Sequence, residues 1–124
     1  MPESHRANDT KPLRVLFCIG VLQNFFDADA ATRAIVVEQC KAAFSDLKGR
    51  FGVTVLGTMD DDELMVGASA GWPWTCYILA DVPGRDVAVR ITGLVRDWEV
   101  GPDRLWRYLR IEARAGRALF FGNE

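Results

Sequence analysis

Asp60, Asp61, Asp62 and Glu63 stand in one unbroken run, and a little further on Trp72 and Trp74 flank Pro73. A carboxylate in such a run does general acid or base work if it is desolvated, and two or three together hold a cation with help from elsewhere. The DxDxDG spacing of a calcium loop is absent, and no metal site is expected. The plainer alternative is a solvated strand end. A proline between two tryptophans fixes large aromatic walls at little entropic cost. Those walls would line a pocket for a planar ligand, meet at a dimer interface, or fill a sheet edge. The third group is Arg104, Arg107, Arg110, Arg114 and Arg117 against a single acid, Glu112, with Trp106 and Tyr108 interleaved. Guanidinium forks suit carboxylates and phosphates. They would equally pair with acids at 60–63, Asp97, Glu99 and Asp103.

Other chemistries find little support. The only histidine, His5, lies in the opening "MPESHRANDTKP", so a Ser-His or Cys-His nucleophile would need that segment folded over the domain. GxSxG, P-loop and GxGxxG patterns are missing, as is the RNP signature of RNA-binding domains. Cys18, Cys40 and Cys76 are odd in number, widely spaced and set in apolar segments, as buried free thiols would be. A formal charge of -2 gives no bulk attraction to nucleic acid or an anionic membrane. No signal-peptide h-region and no membrane-length apolar run is present, so a cytoplasmic protein is expected.

Elements that would position these residues emerge from periodicity. A chain of 124 residues suits one domain, expected over 13–124 after a flexible arm at 1–12. "LRVLFCIGV" (13–21) reads as a strand covered on both faces. Asp27 or Asp29 can cap the next helix. Val36, Cys40, Ala43, Phe44, Leu47 and Phe51 form its apolar stripe, and it ends near Gly49 or Gly52. "VTVLGTMD" (53–60) is a second strand. A short "LMVG" and then "PWTCYILADV" supply its hairpin partner. Val87, Ile91, Leu94, Val95 and Trp98 stripe a second helix, closed by "GPD" at 101–103. The last segment alternates, with Leu105, Leu109, Ile111 and Ala113 on one side together with Arg107. Trp106, Tyr108, Arg110 and Glu112 lie on the other.

The order is β-α-β-β-α-β. With right-handed crossovers this predicts an α+β, ferredoxin-like fold: a four-stranded antiparallel sheet with two helices on one face. The other face must then be solvated, bind something, or meet another subunit.

At "VLGTMDDDELMVGASAGWPWTCYILADVP" and "LWRYLRIEARAGRALFFG" the chain resembles the IacB-like proteins, encoded beside the enzymes of indole-3-acetate degradation. The resemblance covers about residues 13–122. It implies a homodimeric α/β barrel of ferredoxin-like subunits serving aromatic-acid catabolism, with no established catalytic set. Several dimeric α/β-barrel enzymes use a barrel histidine, which this sequence lacks. The resulting expectation is a site for an oxidised indole-acetate intermediate. Trp72 and Trp74 wall the bicycle, Arg107 or Arg110 holds the carboxylate, and Asp61, Asp62, Glu63 or Tyr108 moves a proton without a cofactor. The alternative is a non-catalytic accessory or structural dimer supporting the pathway oxygenase.

Overall fold

The computed structural model describes residues 12–68, 71–117 and 119–121. The expected arm, including His5, falls outside them except for Pro12. Strand β1 (Leu13–Val21) is followed by three helical pieces, α1 (Gln23–Asp27), α2 (Ala30–Ala43) and α3 (Leu47–Phe51). Strands β2 (Thr54–Asp60) and β3 (Cys76–Val82) lead to α4 (Arg85–Asp97). A small hairpin of β4 (Glu99–Val100) and β5 (Asp103–Arg104), a 3-10 turn (Leu105–Arg107) and β6 (Leu109–Gly116) complete the chain.

Four strands form one sheet in the order β2-β3-β1-β6, every neighbouring pair antiparallel. Each helical crossover therefore skips one strand. This α+β arrangement is consistent with a ferredoxin-like fold. Period-two alternation decides which side is covered. Val15, Phe17 and Ile19 of β1 pack with Ile78, Ala80 and Val82 of β3 and with Leu47, Val87 and Ile91 of the helices. A second cluster joins Val36 and Ala43 of α2 to Val95, Val100, Leu105, Tyr108 and Leu109.

The first crossover breaks where one helix was expected, because Asp46 takes a left-handed conformation at φ 47°. Its carboxylate accepts from Gly49 N–H and starts α3 afresh. A Cβ at 49 would displace that carboxylate from its cap. Arg50 then donates to the carbonyls of Ala43 (2.8 Å) and Ser45 (2.6 Å), satisfying groups freed at the end of α2. The second helix runs unbroken and buries Val87, Ile91 and Val95 as its stripe predicts. Residues 64–67 form no strand, and Leu64 and Val66 are exposed. All three cysteines are free thiols, but only Cys18 is fully buried.

Asp29, not Asp27, caps α2 by accepting from Thr32 N–H at 2.8 Å. That bond holds its carboxyl below the usual range, and the Arg14 guanidinium does the same for Asp81. Both acids protonate at lower pH in the folded chain than in the unfolded one. Their contribution is complete above the unfolded carboxylate pKa of about 3.9 and is lost as pH falls through the lower folded values. Urea midpoints measured from pH 5 downward are expected to fall less steeply in Asp29→Ala and Asp81→Asn than in the parent. Both variants start from a lower midpoint at pH 5.

Candidate functional site

The residues of β1 outside the two core clusters, Arg14, Leu16, Cys18 and Gly20, lie on the face that no helix covers among the described residues, Cys18 being buried there. Register extends that face across the sheet. Cys18 pairs with Tyr77 on one side and Glu112 on the other, while Leu16 sits between Leu79 and Arg114. Gly20 is opposite Arg110. Arg14 and Asp81 close one end with a two-pronged ion pair of 2.6 and 3.3 Å. Next to it, Leu16, Gly57, Thr58, Met59, Tyr77 and Leu79 line an apolar recess of about 480 Å³.

Residues 71–75 fold back over the opposite end. Asp61 N–H donates to the Thr75 carbonyl and Thr75 N–H to the Ile19 carbonyl, each at 2.9 Å. Gly20 permits this approach, because a Cβ there would overlap the Pro73 carbonyl oxygen and come within 3.3 Å of Arg110 Cγ. Trp74 is buried, and the Arg110 guanidinium lies over its ring, 5.3 Å from the centroid. Trp72 is half exposed and donates from Nε1 to the Tyr77 hydroxyl at 2.7 Å. That hydroxyl in turn stands 3.1 Å from Asp61 Oδ2 and 3.2 Å from the Trp74 carbonyl, either of which accepts its proton.

Electrostatics set the protonation of this cluster. Loss of solvent around Tyr77 pushes its pKa up; the bond from Trp72 opposes the shift and the Asp61 carboxylate reinforces it. Tyr77 is therefore a protonated donor at neutral pH. Burial likewise raises the Cys18 thiol, against the pull of Arg114, so Cys18 is no thiolate nucleophile. Glu112 Oε2 is buried with no hydrogen-bond partner among the described residues, although Arg114 Nη2 is 2.6 Å away. The contact is an ion pair whose angles miss a hydrogen bond.

Of the eight residues singled out from the sequence, Asp61, Trp72, Trp74 and Arg110 meet here. Asp62 and Glu63 are exposed, and the Asp62 N–H donates to the Asp60 carboxylate at 3.2 Å. Tyr108 is buried in the second core cluster, its hydroxyl donating to Asp103 at 3.4 Å. Arg107 pairs with the same Asp103 at 3.6 Å. The expected alternation through 105–112 is interrupted because the 3-10 turn delays β6 to Leu109. Tyr108 and Leu109 are consequently both buried, and Tyr108 parts from Arg110. Sequence reading missed Tyr77, Glu112 and Gly20. Alternation with Ile78, Ala80 and Val82 was the available signal for Tyr77.

The arrangement offers a guanidinium with no ion pair among the described residues, on an aromatic platform beside a hydroxyl–carboxylate pair. Among the described residues no group of three or more His, Cys, Asp and Glu is placed to hold a metal ion. No helix among them is long and apolar enough to cross a membrane. Comparison with family models, curated proteins and solved structures finds no match for the chain.

Proposed function

We propose that the protein is a homodimer of ferredoxin-like subunits, packed sheet to sheet as a dimeric α/β barrel. It binds or converts a small aromatic acid, an oxidised indole-acetate intermediate, at the end of the open face near Trp74. One observation carries this reading: the Arg110 guanidinium makes no ion pair among the described residues, yet it is held over Trp74 beside the Tyr77–Asp61–Trp72 network. A carboxylate would meet Arg110, and the planar body would lie against Trp72. Tyr77, backed by Asp61, would donate a proton to the bound molecule, with no cofactor required. The sheet-to-sheet dimer is supported by exposed Leu79 and Met59 on the β3 and β2 side of this face, next to Arg14–Asp81. A second copy would roof the recess they border.

A second reading is an accessory dimer that supports the pathway oxygenase without turnover. Leu64 at 75% and Val66 at 80% exposure, in the loop beside the site, favour a protein partner there.

Indole-3-acetate and its oxindole derivatives, titrated against the purified protein by thermal shift and calorimetry, test the main reading. Arg110→Ala is expected to weaken binding of the acid about 10- to 100-fold, from the roughly 1.5–3 kcal/mol of a charged hydrogen bond. The matching alcohol should be affected far less. Asp61→Asn should keep binding and lose turnover if the protein is an enzyme. Equal affinity of Arg110→Ala and the parent for every acid would overturn the assignment.

A further inference from the structure

The helix-covered side of the sheet is not fully covered. Helix α2 leans toward the 99–109 segment, where Val36 and Ala43 join Val100, Leu105 and Leu109. Between α2 and the ends of β2 and β3 an apolar recess of about 470 Å³ opens. Its wall includes Ile19, Phe25, Cys40, Phe44, Cys76 and Ile78. This volume lies in the range of small-molecule sites, whereas well-packed interiors leave few voids larger than a water molecule. Neither Trp74 nor Arg110 lines it, although Tyr77, the proton donor proposed above, does.

From the volume, the apolar wall and the charges at its mouth, we infer that this recess is a second binding site, for an uncharged, largely apolar molecule of one or two rings or a medium-length chain. The charge pattern decides the class. Among the described residues Lys41 is the one cation lining the recess, and it already donates to Glu38 at 3.4 Å. Asp60 stands on the same lining. Lys41 and Asp60 balance each other on the lining, and Glu38 already engages Lys41, so the recess offers a carboxylate no free cation among the described residues. The remaining polar lining, Thr58 and Tyr77, bears no charge at neutral pH. A ligand that enters without a charge loses no ionic hydration. Cys40 and Cys76 give the site two built-in reporters, since both thiols line it while Cys18 is buried on the other face.

The neutral fluorophore N-phenyl-1-naphthylamine, titrated into the full chain, tests the proposal. Its emission is expected to rise and saturate at one probe per chain. Decanol should displace it at least about tenfold better than decanoate. Bound decanol should slow maleimide alkylation of Cys40 and Cys76, read by mass spectrometry, and this readout needs no substitution. Cys40→Phe, which fills the wall, should abolish the fluorescence rise, whereas Arg110→Ala should leave it intact. Non-saturating emission, unprotected thiols, or stronger displacement by decanoate would overturn the inference. Loss of the signal in Arg110→Ala would overturn it too, by placing the probe on the other face. None of these results touches the aromatic-acid reading, whose test is the Arg110 dependence of acid binding.

Discussion

Gly20→Ala is expected to destabilise the protein by about 1–3 kcal/mol, the range found when extra atoms are forced into a packed site, and to cost the aromatic-acid response as well. Gly20 does not need glycine for its backbone dihedrals. It needs it for space, because the Pro73 carbonyl and Arg110 Cγ occupy the position a Cβ would take. Relief requires the 71–75 segment to lift, and that segment is held there by Thr75 N–H on the Ile19 carbonyl. Lifting it moves Trp74 from under Arg110 and separates the Trp72–Tyr77–Asp61 bonds. Trp fluorescence and near-ultraviolet dichroism should change, while far-ultraviolet dichroism stays close to the parent's. An unchanged near-ultraviolet spectrum with full acid binding would show that the loop does not depend on that approach. Gly57→Ala serves as a control, having nothing within 4 Å of its Cβ position.

Phe17→Ala is expected to have the largest effect on stability, about 3–5 kcal/mol. Phe17 is fully buried on a central strand, flanked in register by Ile78 and Ala113, within the main core cluster. Its ring cannot be replaced by collapse of the neighbours, because β1 is pinned on both sides by β3 and β6. Against a total stability of roughly 5–15 kcal/mol, the loss lowers the melting midpoint by roughly 10–20 °C. Phe17→Leu, which keeps most of the volume, should lose much less. Urea unfolding that gave the two variants equal midpoints would show that the core tolerates the void.

Local features were legible in the chain. Asp27 or Asp29 as a cap, Val87, Ile91 and Val95 as a buried stripe, and strands at 13–21 and 53–60 each arise from spacing within a few residues. So does the count of four sheet strands and their antiparallel arrangement, once crossovers are taken as right-handed. The fold selects Asp29 and starts the second strand at Thr54. The break at Asp46 was hidden by an apolar stripe that runs on through Leu47 and Phe51 without a phase change. The hairpin at 99–104 was read as a helix end, because Gly101-Pro102 stops a helix and the two-residue strands beside it are too short to show alternation.

The sequence by itself determined which side of each regular element is apolar, since side-chain period is a local property of a strand or helix. It also determined that aromatic, arginine and acidic groups would exist in quantity near two loops. Tertiary structure alone decided which of them meet. Tyr77, Cys18 and Glu112 come side by side only through strand register, which no local pattern encodes. Tyr108 and Arg110 have equivalent places in an alternating strand, yet one 3-10 turn sends the first into the core and leaves the second above Trp74. The lean of α2 toward the 99–109 segment opened a recess that no stripe of apolar residues announces, because packing between distant elements sets where a helix lies.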